Sequence, residues 1–204
     1  MMEGMTGFEF CRSLKDNALY CHIPVILLTA KDSLHDQITG LDSGADAYIT
    51  KPFHAEYLLS MIRTILKNRN RVKSVLSDVT RTETLGAKDL SPQDKAFMDE
   101  LFSLMEKELD NQEFNITQCV ERMHVSHTKF INKVKALTGP TPAEYFKNYK
   151  LNRAAALLKE GKYNISEVTY MTGFSSLAHF SKVFKRKFGM NPSQFMNPRR
   201  ENDS

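Results

Sequence analysis

Residues 115–195 carry one pattern written twice. Phe130, Val134, Lys135, Gly139, Pro142 and Tyr145 return fifty positions later as Phe180, Phe184, Lys185, Gly189, Pro192 and Phe195. Upstream, Asn115-Ile116-Thr117-Gln118 returns forty-nine positions on as Asn164-Ile165-Ser166-Glu167. A repeat of this kind is one supersecondary unit used twice, so both copies must suit the same local structure. Both tetrads are capping boxes, an N-cap Asn with Gln or Glu three residues later. Each copy then reads as a short helix, a tight turn and a longer helix. In the first, Ile116, Val120 and Met123 line the inner face, His124-Val125-Ser126 makes the turn, and the long helix spans about 126–138. In the second, Ile165 and Val168 begin the inner face, Gly173-Phe174-Ser175 makes the turn, and the long helix spans about 176–188. Val125 and Phe174 are the expected apolar plugs between helices, and Gly139 and Gly189 the left-handed C-caps. A helix pair joined by so short a turn is the helix-turn-helix architecture, whose second helix enters the major groove of duplex DNA.

Between the copies, Pro142–Glu160 reads as one helix closed by Gly161. Its length is roughly 27 Å, against ~34 Å between successive major-groove faces. The expectation is a split site over two adjacent grooves, with the duplex bending where the span falls short.

Net charge is only +4, but its distribution is informative. No acid occurs between Glu121 and Glu144, or between Glu167 and Glu201. Those windows hold Arg122, Lys129, Lys133 and Lys135, then Lys182, Lys185, Arg186, Lys187, Arg199 and Arg200. Such a stripe is either a polyanion-binding face or simply solvated helix surface. The periodicity puts Phe130, Val134 and Leu137 inward on the first long helix, and His127, Thr128, Ile131, Asn132 and Lys135 outward. On the second it puts Phe180, Phe184 and Phe188 inward, and Leu177, Ala178, Ser181, Lys182 and Lys185 outward. Asn132 suits adenine, Lys182 suits guanine O6/N7, Leu177 and Ala178 suit thymine methyls, and Thr128 can bond a base or pack on a thymine methyl. Lys135, Lys185, Arg186 and Lys187 suit phosphates, with His127 on the flank.

With 41% hydrophobic and 25% charged residues, the chain has a soluble globular composition. No apolar run approaches the ~20 residues of a membrane span. Cys11, Cys21 and Cys119 are scattered, which implies no disulfide framework and fits a cytoplasmic setting. His124, His127 and His179 lack a second ligand cluster, so no metal site is expected. Met105, Met123 and Met171 read as core packing. No nucleophile–base constellation is visible, so an enzyme is not expected.

The front of the chain is of another kind. Helix-like pieces at Thr6–Lys15, Ser33–Asp42 and His54–Lys67 alternate with strand-like Pro24–Thr29 and Ala47–Ile49. Val25–Thr29 has the apolar continuity of a strand buried on both faces of a parallel sheet. Two such strands cannot cover one another, so an unpaired edge and exposed apolar faces are expected, with self-association as the consequence. Residues 68–90 turn polar and read as a linker. Ser91-Pro92 then starts a helix to about Leu109, with Phe97, Leu101, Leu104 and Met105 on its stripe.

Two resemblances follow. Residues 111–197 closely resemble the DNA-binding domain of AraC/XylS-type regulators, through Gly173-Phe174-Ser175-Ser176 and the run from Phe180 to Ser193. The resemblance implies two helix-turn-helix units bridged by a helix, with base contacts at Thr128, Asn132, Leu177, Ala178 and Lys182. Where that family often carries Arg, this chain has Asn132 and Lys182. Residues 1–67 look like the latter part of a response-regulator receiver, through Gly44-Ala45-Asp46-Ala47-Tyr48-Ile49-Thr50-Lys51-Pro52-Phe53 and Leu28-Thr29-Ala30. By that resemblance Thr29 and Lys51 contact an aspartyl phosphate, and Tyr48 is the ring that turns inward on activation. Met1–Gly7 resembles the loop just after the phosphorylated Asp. No phosphoacceptor is therefore expected in this chain. No cofactor is expected either, since Mg²⁺ belongs to the acidic pair of a complete receiver.

The expected fold is mostly α. An incomplete α/β, flavodoxin-like receiver fragment (1–67) and a linker (68–90) precede an all-α double helix-turn-helix domain (91–198). The expected function is a sequence-specific transcription regulator acting on double-stranded DNA. It would be the C-terminal part of a two-component regulator, of a hybrid sensor kinase in one arrangement, with a sensor histidine kinase or a second receiver as partner. The other reading is a protein-interaction fragment docking through the half receiver, with DNA binding lost or incidental.

Overall fold

The computed structural model describes residues 4–31, 33–77 and 90–196. It is mostly helical, as expected, and divides into two compact units. One comprises Met1–Asp99 with His127–Pro140, the other Glu100–Ser126 with Thr141–Ser204.

The first unit opens with α1 (Gly7–Asp16), set by a capping box in which Thr6 Oγ1 accepts from Glu9 N and Glu9 Oε2 accepts from Thr6 N. Strand β1 (Ile26–Thr29) pairs in parallel with β2 (Ala47–Thr50), in the register Ile26↔Ala47 to Thr29↔Thr50. Helix α2 (Leu34–Asp42) makes the crossover, with Ser33 as N-cap. Among the described residues the sheet has only these two strands, so the outer edge of β1 is unpaired. Val25–Thr29 is accordingly not buried on both faces, and Leu28 is exposed. Asp46 fastens the unit together: it accepts from Lys15 Nζ at 2.6 Å, from Val25 N at 2.9 Å and from Arg69 at 3.4 Å. Burial alone would raise its carboxyl, but the bonds from Lys15 and Val25 outweigh this and hold it below the usual range.

Helix α3 runs Ala55–Ser77, ten residues beyond the boundary expected at Lys67. The stripe of Leu58, Met61, Ile62 and Ile65 continues through Val72 to Leu76, which is almost fully buried, and this apolar continuation carries the helix through a polar stretch. Tyr57, near the start of this helix, is exposed. The part of the expected linker at 78–89 lies outside the described residues. Helix α3 packs on α6 (His127–Thr138), the long helix of the first repeat.

Helix α4 (Pro92–Lys107) starts at the expected cap, with Ser91 Oγ accepting from Asp94 N at 3.1 Å. In the second unit lie α5 (Ile116–Arg122), α7 (Pro142–Glu160), α8 (Ile165–Met171), α9 (Leu177–Phe188) and the short α10 (Pro192–Met196). Both expected capping boxes form, at Asn115/Gln118 and Asn164/Glu167. Gly161 and Gly189 are left-handed C-caps. The core gathers Leu151, Ala154 and Leu158 of α7 with Val168 of α8 and Phe180, Val183 and Phe184 of α9. Burial pushes the Cys119 thiol up to about 12, so it stays protonated and packs as an apolar group against Met123.

Candidate nucleic-acid interface

In the second unit the helix-turn-helix is built around Gly173. Its φ of +68° is open to glycine, and a Cβ there would lie 2.4 Å from the Leu109 carbonyl oxygen and 2.5 Å from Lys150 Nζ. Lys150 donates to the carbonyls of Gly173 (3.2 Å) and Asn111 (3.3 Å), tying the turn to the chain ahead of α5. Burial lowers its pKa. Phe174 fills the angle between α8 and α9, 5.2 Å from the Phe180 ring, and the file continues through Phe184, Phe188 and Phe195. With that side of α9 fixed by aromatic packing, the opposite side is bound to face outward. Leu177, Ala178, Lys182, Lys185 and Arg186 are all exposed there, and Ser176 caps the helix by accepting from His179 N. Lys187 stands apart. It is half-buried, donates to the Asn148 carbonyl and lies against the Phe188 ring, so it belongs to the flank of this face rather than its centre.

In α6 the burial pattern is the same. Phe130, Val134 and Leu137 are buried, while His127, Thr128, Asn132 and Lys135 are exposed on one side and Ile131 is half-exposed. The turn before it places His124 at φ +52°, forty-nine positions ahead of Gly173, where a side chain is tolerated in the left-handed region. Lys133 corrects the charge reading. It is fully buried and bonded to Asp94 at 2.6 Å, so it contributes nothing to an exposed stripe. Arg122 is likewise engaged, paired with Glu108 and set over the Phe114 ring. Arg199 and Arg200 lie outside the described residues.

The receiver-like end of the sheet brings Thr29 and Lys51 together, since Lys51 N donates to the Thr29 carbonyl at 2.7 Å. Thr29 Oγ1 accepts from Lys31 N, and the Lys51 side chain is exposed. The Tyr48 ring is half-buried, stacked 6.3 Å from Phe8 and close against Gly40, and its hydroxyl donates to the Lys31 carbonyl. Among the described residues no three His, Cys, Asp or Glu side chains converge as a metal would need.

Two families match the chain. Residues 119–198 match the helix-turn-helix domain family, and residues 1–63 match the response regulator receiver domain family. Residues 1–63 thus match a receiver segment and residues 119–198 a helix-turn-helix domain on the same chain. Histidine kinase P4 of Formosa agariphila is 39% identical to the receiver and helix-turn-helix segments together, over 197 residues that make up 97% of this chain and 14% of that protein. The heme response regulator HssR of Staphylococcus epidermidis is 39% identical over 105 residues, 48% of this chain and 46% of that protein. The chain thus spans half or less of these relatives' own lengths. Among solved structures, an AraC-type transcriptional regulator from Chromobacterium violaceum matches with a TM-score of 0.49 at 25% identity, covering 55% of this chain and all of that one. No helix among the described residues is long and apolar enough to cross a membrane.

Proposed function

We propose that the chain is the DNA-binding output of a two-component regulator, in which α6 and α9 each read one half of a split site in duplex DNA. The observation that carries this reading is the repeated exposure pattern. Each helix is buried along one side and leaves open a side that combines hydrogen-bonding or apolar base readers with cations. Asn132 and Thr128 on α6, and Lys182, Leu177 and Ala178 on α9, are the base-reading residues of the proposal. Lys135, Lys185 and Arg186 neutralise phosphates, with His127 and Lys187 on the flanks.

The receiver segment supplies the regulation in this reading. Thr29, Lys51 and Tyr48 are its switch residues, and a sensor histidine kinase or a second receiver is its partner. Leu34, Ile38 and Leu41 leave an apolar stripe exposed on α2, which suits a segment that docks on further protein. The long match to a histidine kinase supports a place within a hybrid chain.

The test is fluorescence anisotropy of a labelled duplex, enriched from a random pool, across a salt series. Three to five neutralised phosphates give a slope of log affinity against log salt of about −2.7 to −4.5. A flat salt response, or no duplex affinity, would contradict the reading.

A further inference from the structure

We propose that Lys133 and Asp94 are positioning residues for the first recognition helix, which lock α6 to the receiver segment so that this segment governs reading of the first half-site alone. The inference rests on the DNA-binding reading above and adds its regulation.

Lys133 Nζ has no solvent exposure, and its ammonium is met from three directions. Asp94 Oδ1 accepts at 2.6 Å, the Ala18 carbonyl accepts as well, and Cys21 Sγ lies at 3.5 Å, with the Phe97 ring centroid 5.0 Å away. Ala18 and Cys21 belong to the turn after α1, within the receiver segment. One helical turn earlier on the same flank, Lys129 lies over the Tyr20 ring at 5.7 Å. Two lysines of α6 therefore grip one receiver turn.

That turn is itself firm. Tyr20 N and Cys21 N both donate to the Asn17 carbonyl, and Leu19 N donates to Asn17 Oδ1. Lys15 binds the Ile23 carbonyl at 2.9 Å and Asp46 at 2.6 Å, which carries the connection to the entrance of β2. Asp94 is equally fixed, in the first turn of α4 where a carboxylate is favoured.

A buried ion pair is close to all-or-none, because separating it strands a charge in an apolar setting. Lys133 also directly follows the exposed reader Asn132. Seating the lysine therefore sets the rotation of α6 and the direction in which Asn132 and Thr128 point. The second copy lacks the device: fifty positions on stand His179 and Val183, and α9 is held by the phenylalanine file of its own unit.

The experiment is hydroxyl-radical footprinting with the full chain, on the duplex enriched from a random pool and on two derivatives with either half scrambled. Asp94→Asn should weaken protection of the first half about tenfold and relax its base preference, leaving protection and base preference at the second half unchanged. Tyr20→Ala, a partly exposed site well suited to substitution, should do the same by about threefold. Circular dichroism checks that each variant remains folded. Equal losses at both halves, or no loss at either in both variants, overturn the proposal while leaving DNA binding intact. A wild-type chain that protects no duplex overturns the DNA-binding reading, and the proposal with it.

Discussion

The two long helices of the repeat have the same outward pattern and opposite means of support. Helix α9 rests on Phe174, Phe180, Phe184, Phe188 and Phe195, an apolar seat made within one unit. Helix α6 rests partly on a buried charge, with Lys133 at the position where α9 has Val183. Apolar packing is non-directional and tolerant, whereas a desolvated ion pair holds only in one geometry. Under the proposed function, the difference separates a reading head with a fixed mounting from one whose mounting depends on another segment.

The largest effects should come from the seats themselves. Phe184→Ala should cost about 3–5 kcal/mol in urea denaturation, the usual loss for a buried aromatic. Asp94→Leu or Lys133→Val alone should cost a similar 3–5 kcal/mol, because each strands its partner. The double variant, which makes α6 resemble α9, should recover most of that loss. If the two single losses simply add, the ion pair is not the support described here.

The turns offer a second contrast. Gly173→Ala meets both a left-handed backbone and the Leu109 carbonyl, so a loss of about 2–4 kcal/mol is expected from thermal melting. At the equivalent position, His124→Gly relieves a strained φ and should stabilise by roughly 0.5–1 kcal/mol. Equal effects would mean that the two turns are not alike.

Base reading should divide in the same way. Lys182→Ala and Asn132→Ala should each lose about 1–3 kcal/mol of discrimination in competition binding, at different halves of the site. Lys185→Ala should instead weaken all duplexes alike and reduce the salt slope by about 1.

Acid stability gives the smallest signal, and it lies on the α6 side. His22 is half-buried with an unbonded Nδ1, and burial lowers its pKa below the ordinary 6.5. Asp94 opposes that shift, while Lys133, Arg69 and Lys15 add to it. The unfolded chain therefore takes up the proton first, and stability falls as pH drops below about 6.5. Melting between pH 7.5 and 5.5 should show this slope, and His22→Gln should flatten it.

Much of this was legible in the sequence, for reasons that differ by region. The repeat fixed α5 to α9 nearly to the residue, because caps, plugs and glycines are local signals read twice. The last turns of α3 are hidden in the sequence because residues 68–77 are polar on average, although Val72 and Leu76 keep the helical period. Charge alone places Lys133 in the cationic stripe, whereas its helical period places it inside. Aligning it with Val183 would have put it inside, but nothing local identifies Asp94 or the Ala18 carbonyl as its partners. The Asp46 fastening is likewise non-local, joining residues 15, 25 and 69, and no spacing rule announces it. The short sheet with its unpaired edge followed directly from counting strands.

Selection from a random duplex pool, repeated with Asn132→Ala and Lys182→Ala, tests the account most directly. Two preferred blocks should emerge about ten base pairs apart, each variant blurring one block and sparing the other. A single block, or blocks that both substitutions blur together, would contradict a two-headed reader.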